Sequence, residues 1–77
     1  MAYFKERSSN HFVLFAGKIG GTGRVMAQLA KEVHEVMWTL WKFDRYGCTI
    51  SNQEFKSVED AAEYIRGLNM PCDIIRK

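Results

Sequence analysis

Apolar residues recur along this chain with two different periods, and the order of these periods predicts the order of its secondary structure. Four runs are apolar at every second position or on both faces, as β-strands are: His11–Ile19, Met37–Phe43, Cys48–Phe55 and Cys72–Ile75. Two runs are apolar every three or four residues, as amphipathic helices are: Arg24–Val36 and Val58–Arg66. The predicted order is therefore β-α-β-β-α-β.

This order predicts an α+β fold, the ferredoxin-like βαββαβ open-faced sandwich, in which an antiparallel sheet carries two helices on one face. In the usual arrangement the first strand is central, which fits the apolar residues on both faces of His11–Ile19. The second strand, Met37–Phe43, is then an edge strand. Its unpaired backbone groups would invite pairing with a partner or with a second copy of the chain.

Local signals add detail to this prediction. Asp44–Gly47 has the composition of a tight turn between two strands, with glycine supplying a positive φ. Ser57 is a good N-cap for the second helix, and Asp60 stands at capping-box spacing from it. Residues 1–10 are mostly polar and charged, so we expect a flexible N-terminal arm followed by a single domain over residues 11–77.

Composition limits the class of protein more than its chemistry. Eleven basic and nine acidic residues give a net charge of +2, which is too weak for nucleic-acid binding by charge alone. Cys48 and Cys72 lie outside any metal-binding spacing. The predicted strand order holds them about 10 Å apart, which is too far for a disulfide, so we expect reduced thiols and a cytoplasmic location. No apolar run approaches the roughly 18 residues of a membrane span, and residues 1–10 lack the apolar core of a signal peptide, so no membrane association is expected.

The first candidate site is the glycine-rich joint before the first predicted helix, formed by Gly20, Gly21, Gly23 and Arg24. Backbone N–H groups in such a joint, together with a helix N-terminus, can cradle an anion. Arg24 would add a bidentate guanidinium for phosphate or carboxylate. The joint matches neither a Walker A motif nor GxGxxG. The simpler interpretation is that the glycines make a sharp turn.

The segment Gly17–Arg24 resembles a shortened phosphate-binding loop of the acylphosphatases, a family with the same predicted element order. Gly17, Ile19, Gly21, Gly23 and Arg24 have counterparts there, and the resemblance implies that Arg24 binds the anion. The loop is one residue shorter between Gly23 and Arg24. The stretch corresponding to the family's second strand contains no asparagine to place the attacking water. An acylphosphatase-like enzyme therefore stands as an alternative only.

The second candidate site is the aromatic second strand with the turn that follows it. Its residues are Trp38, Trp41, Lys42, Phe43, Arg45 and Tyr46. Only one face of this strand can be covered by helices, so one tryptophan should lie on the open face. An exposed aromatic with basic neighbours suits a protein surface or a single-stranded nucleic acid. The alternative is that both tryptophans are core or dimer contacts.

No catalytic constellation assembles from the remaining residues. His11 and His34 are remote in sequence from each other and from any serine or cysteine partner. We expect no catalytic residues, no metal and no cofactor. We therefore expect a non-enzymatic protein-binding module, a stoichiometric regulator or inhibitor of the kind that phages and mobile elements encode. The alternatives are a single-stranded nucleic-acid-binding domain and an anion-binding acylphosphatase-like enzyme. A homodimer fits the aromatic content.

Overall fold

The computed structural model describes residues 1–18 and 23–77. These residues form six strands and one helix: β1 (Ala2–Ser8), β2 (His11–Ala16), β3 (Arg24–Ala30), β4 (Trp38–Phe43), β5 (Thr49–Phe55), α1 (Val58–Arg66) and β6 (Cys72–Ile75). No helix of these residues is long and apolar enough to cross a lipid bilayer.

The strands make one mixed sheet in the order β5-β4-β3-β2-β1-β6. Strands β1 to β5 are antiparallel neighbours in chain order, and β6 returns after α1 to pair in parallel with β1. The predicted ferredoxin-like fold is therefore wrong. The described residues contain one helix rather than two, and they add two strands to the predicted four.

The first predicted helix, Arg24–Val36, is instead β3 and the turn after it. Strand β3 pairs with β2 on one side and β4 on the other, so it gains backbone hydrogen bonds along both edges. Ala27 and Leu29 alternate into the core, whereas Val33 and Val36 of the predicted apolar stripe are 83% and 81% exposed. A helix over this segment would leave a gap in the middle of the sheet.

Residues 1–10, predicted as a flexible arm, contain strand β1. Ala2 and Phe4 are buried in the core, and β1 lies between β2 and β6. The apolar residues Tyr3 and Phe4 among the charges are what fix this segment, because strand pairing lets Lys5 face solvent while Phe4 faces inward.

Several local predictions are confirmed. Helix α1 spans Val58–Arg66 as predicted, and the Ser57 hydroxyl accepts a hydrogen bond from the Asp60 backbone N–H at 3.0 Å. Val58, Ala61, Ala62 and Ile65 form its buried stripe. The turn after β4 is also confirmed, with Gly47 at φ +84° and the Gly47 N–H donating to the Asp44 carbonyl at 3.0 Å.

The core lies between α1 and one face of the sheet. Its largest fully buried side chains are Phe4, Phe12, Leu14, Leu29 and Leu40. Strand β4 is interior, so the prediction that Met37–Phe43 forms an exposed edge is wrong, and β5 and β6 are the edge strands. The aromatic strand therefore presents one face, and no free edge, to a partner.

Candidate functional site

The two tryptophans of β4 lie on opposite faces of the sheet. Trp38 is 8% exposed and belongs to the core, with its ring meeting Phe12 edge-on at 5.6 Å. Trp41 is one residue beyond the buried Leu40, so alternation places it on the other face, where it pairs across the strands with Gln28 and Asn52. The prediction that one tryptophan lies away from the helices is confirmed.

The six candidate residues of the aromatic site do not share one surface. Lys42 faces the helix, where its ammonium donates to the Tyr64 hydroxyl at 2.6 Å, and Phe43 lines the same side. Arg45 and Tyr46 project from the turn, with the guanidinium 5.1 Å from the centre of a ring that is 76% exposed. The structure therefore separates Trp38, Lys42 and Phe43 from Trp41, and both groups from Arg45 and Tyr46.

Trp41 instead belongs to a surface built from five strands, which we call the open face. Helix α1, the one helix in the described ranges, lies on the opposite face. Pairing and alternation assign the following residues to the open face: Tyr3, Lys5, Arg7, His11, Val13, Phe15, Gln28, Thr39, Trp41, Asn52 and Glu54.

A second aromatic group lies on the open face beside β1 and β2. Tyr3 and Phe15 stack with their ring centres 5.3 Å apart, and the Arg7 guanidinium lies 5.9 Å from the Phe15 ring centre. Tyr3 is only 5% exposed, so Phe15 and Arg7 form the accessible part of this group. Sequence reasoning missed it because it had assigned Tyr3 to a flexible arm.

The middle of the open face is polar. The His11 ring contacts the Gln28 amide oxygen at 3.1 Å. Gln28 stands between Val13 and Trp41 in the cross-strand row, so this pair separates Trp41 from the Tyr3–Phe15 stack. The cations Lys5 and Arg7 lie toward one side of the sheet, and the acidic Glu54 lies on the edge strand β5. The open face thus combines aromatic, polar and oppositely charged groups.

The glycine joint is a strand-to-strand connection, because Arg24 opens β3 rather than a helix. The helix N-terminus on which the predicted anion cradle depended is therefore replaced by a strand. Gly20 and Gly21 lie outside the described residues. Gly23 has a structural reason to be glycine, since a Cβ there would lie 2.6 Å from the Ala16 carbonyl oxygen. Gly17 has φ +122°, which L-residues rarely adopt.

A cavity of about 210 Å³ lies on the covered side of the sheet, near the C-terminal end of α1. Its lining residues are Leu14, Arg24, Met26, Ala27, Lys42, Phe43, Ile50, Ile65, Leu68 and Met70. Two candidate residues from separate parts of the sequence analysis, Arg24 and Lys42, thus line the same cavity. The sequence carried no signal for this arrangement, because it depends on the pairing of β3 with β4.

The electrostatics of the covered side centre on Lys42 and Tyr64. The hydrogen bond from Lys42 lowers the pKa of Tyr64 below its ordinary value of 10.0, and burial opposes this effect. The Lys42 ammonium also lies 4.8 Å from the centre of the Tyr64 ring. The pair therefore holds a positive charge beside the apolar cavity.

Comparison with known proteins gives no relative from which a function could be carried over: no family model, curated protein or solved structure matches the chain. Within residues 1–18 and 23–77, no three histidine, cysteine, aspartate or glutamate side chains cluster as metal ligands would. The functional proposal therefore depends on the open face and the cavity themselves.

Proposed function

We propose that this chain is a small, non-enzymatic protein-binding module, a stoichiometric regulator or inhibitor that engages its target through the open face. The observation that carries the proposal is the placement of Trp41. A half-buried tryptophan stands on a sheet face opposite α1, among residues of five strands. Tryptophan, tyrosine and arginine are the residues most often found as energetic anchors of protein interfaces.

The size of the molecule is compatible with such a role. Its dimensions are 33 × 27 × 22 Å, so one whole face offers an area on the order of the ~800 Å² per partner that a standard interface buries. A rigid sheet also loses little conformational entropy on binding, which leaves more of the contact energy as affinity.

The charge of the open face favours a protein over a nucleic acid as the partner. Single-stranded nucleic acids need a positive groove along which the backbone can run. Here Lys5 and Arg7 are accompanied by the acidic Glu54, and the chain as a whole carries only +2. The Phe15 ring with Arg7 beside it and the Trp41 ring could each stack with a nucleic-acid base, so nucleic acid is an explicit outcome of the test.

The proposal includes a cytoplasmic location. Cys48, directly before β5, and Cys72, in β6, are both free thiols near opposite edges of the sheet. Free thiols of this kind suit a reducing compartment.

The test is affinity capture from a lysate of the encoding organism, with three immobilised proteins: the unchanged chain, Trp41→Ala and Tyr46→Ala. Tyr46 is the matched control because it is an exposed aromatic outside the open face. We expect one protein to be retained by the unchanged chain and by Tyr46→Ala, and to be lost from Trp41→Ala. Size-exclusion chromatography with light scattering then gives the stoichiometry.

Two results would contradict the proposal. The first is retention of the same protein by Trp41→Ala, which would place the interface elsewhere. The second is binding of a single-stranded oligonucleotide at physiological salt, lost in Phe15→Ala, which would assign the open face to nucleic acid. Self-association that depends on Trp41 would identify the partner as a second copy of the chain.

A further inference from the structure

The cavity on the covered side of the sheet has a composition that the protein-binding proposal does not use. Eight of its ten lining residues are apolar and two are cations. The apolar set is Leu14, Met26, Ala27, Phe43, Ile50, Ile65, Leu68 and Met70. Ligand sites generally have this form, an apolar wall with a few polar groups that fix orientation.

The two cations at the cavity have no acidic partner among the described residues. Ion pairs in residues 1–18 and 23–77 join only Arg66 to Glu63 and Arg76 to Glu59. Neither acid lines the cavity. Lys42 has a neutral partner, the Tyr64 hydroxyl at 2.6 Å, which orients the ammonium without neutralising it. A ligand with one negative charge would complement these two cations.

The volume limits the size of the apolar part of that ligand. A dry cavity of about 150 Å³ lined by leucine, isoleucine and phenylalanine accommodates benzene. The present cavity, at about 210 Å³, has room for a six-membered ring and a short arm. Pockets for drug-sized ligands have volumes of roughly 300 Å³ or more, so a nucleotide or a long acyl chain would project past the exposed Ile50 and Leu68 into solvent.

We propose that this cavity binds a small apolar monocarboxylate of the arylacetate type, with its ring among Met26, Ile65 and Leu68 and its carboxylate between Arg24 and Lys42. The guanidinium and the ammonium would each donate charge-assisted hydrogen bonds to the carboxylate. This site is on the opposite side of the sheet from the open face, so it is independent of the protein-binding proposal.

The test is an NMR titration of the uniformly ¹⁵N-labelled chain with phenylacetate and, separately, with phenylacetamide. The amide has the same ring and arm but no charge. We expect phenylacetate to cause saturable shifts of the Met26, Ile65 and Leu68 amides. We expect phenylacetamide to bind at least about tenfold more weakly, because the neutral amide cannot form the charge-assisted hydrogen bonds that a carboxylate accepts from Arg24 and Lys42.

Matched variants test the role of the two cations. Arg24→Gln and Lys42→Met should each weaken phenylacetate binding about tenfold and leave phenylacetamide binding unchanged. Arg45→Gln and Lys56→Met remove exposed cations that do not line the cavity, and they should change neither affinity. Arg24 is exposed, so we expect the Arg24→Gln variant to stay folded. It tests the proposal even if the Lys42→Met variant does not fold.

Three outcomes would overturn the proposal: no saturable shift up to the solubility limit of phenylacetate, equal affinity for the acid and the amide, or shifts confined to the open face. Trp41→Ala should bind phenylacetate as the unchanged chain does. The cavity proposal and the protein-binding proposal can therefore fail separately.

Discussion

Two tryptophans three positions apart in one strand have different roles because strand geometry sends them to opposite faces. Trp38 packs against Phe12, and the Lys31 ammonium lies 5.7 Å from the centre of its ring. Trp41 is half-buried on the open face. The first is a core residue and the second is the proposed anchor for a partner.

We expect Trp38→Ala to lower the free energy of unfolding by about 3–5 kcal/mol, the usual cost of deleting a buried large aromatic. Trp41→Ala should cost distinctly less, because part of its ring already contacts water. Urea unfolding followed by circular dichroism measures both values. Equal losses for the two variants would show that Trp41 is also a core residue.

The pKa of Tyr64 provides a residue-scale test of the Lys42 contact. The hydrogen bond from Lys42 lowers this pKa from the ordinary value of 10.0. A lowered pKa means that the tyrosinate is favoured in the folded state. Its contribution to stability is therefore absent at neutral pH, appears as pH rises through the folded pKa, and is complete above the unfolded value near 10.

Ultraviolet absorbance of tyrosinate, followed from neutral to alkaline pH, measures this titration. We expect Tyr64→Phe to remove a component that titrates below the free-tyrosine value of about 10. Lys42→Met should move that component to higher pH, since it removes the donor and the positive charge. A component unaffected by Lys42→Met would show that the contact at 2.6 Å does not persist in solution.

At the scale of single elements, the signals that were read correctly are those made by neighbouring residues. Ser57 caps α1 through a hydrogen bond to a residue three positions away, and Gly47 closes a turn of adjacent residues. These interactions do not depend on the rest of the fold, so the sequence was sufficient to predict them. The cap at Ser57 can be tested by itself.

Ser57→Ala should lower the free energy of unfolding by about 1 kcal/mol, because the Asp60 N–H at the start of α1 loses its acceptor. Ser9→Ala is the matched control, since Ser9 is an exposed serine in the turn between β1 and β2. Thermal and urea unfolding of both variants measure the difference. A Ser57→Ala variant as stable as the control would mean that the cap contributes nothing net.

Strand β3 was wrongly predicted as a helix because its sequence pattern is ambiguous. Val25, Leu29 and Val33 recur every four residues, which favours a helix, while Ala27 and Leu29 also alternate as a strand requires. Pairing with β2 and β4 decides between the two patterns. The partners lie outside the segment, so local periodicity could not show which pattern is realised.

The same limit explains the candidate sites. The aromatic residues of β4 were found from composition, but their division between two faces required the position of α1. The presence of Arg24 and Lys42 in the lining of one cavity required β3 to be a strand. The Tyr3–Phe15 stack required residues 1–10 to enter the sheet.

At the scale of the whole molecule, the first and last strands pair at one edge of the sheet. Strand β6 pairs with β1, from Ala2 opposite Cys72 to Lys5 opposite Ile75. Arg76 forms an ion pair with Glu59, and the Lys77 backbone N–H donates to the Glu6 carboxylate at 2.9 Å. Both termini therefore contribute to the stability of the sheet.

The sheet order also predicts how stability is distributed. Strands β3 and β5 are both seven residues long, but β3 is paired along both edges and β5 only with β4. We expect the β5 amides that bond to β4 to exchange with deuterium distinctly faster than those of β3, because an edge strand can open without unfolding the core. Hydrogen exchange followed by NMR measures this. Equal protection of β3 and β5 would mean that another chain covers the β5 edge.

The sequence by itself determined the features that neighbouring residues produce: helix α1 with its cap at Ser57, the turn at Asp44–Gly47, and the existence of the strands around β2, β4, β5 and β6. Only the tertiary structure decided that residues 24–30 form a strand, that the N-terminus joins the sheet, and that Arg24 and Lys42 line one cavity. The physical reason is that a strand is stabilised by hydrogen bonds to other segments, whereas a helix or a turn makes its hydrogen bonds within itself.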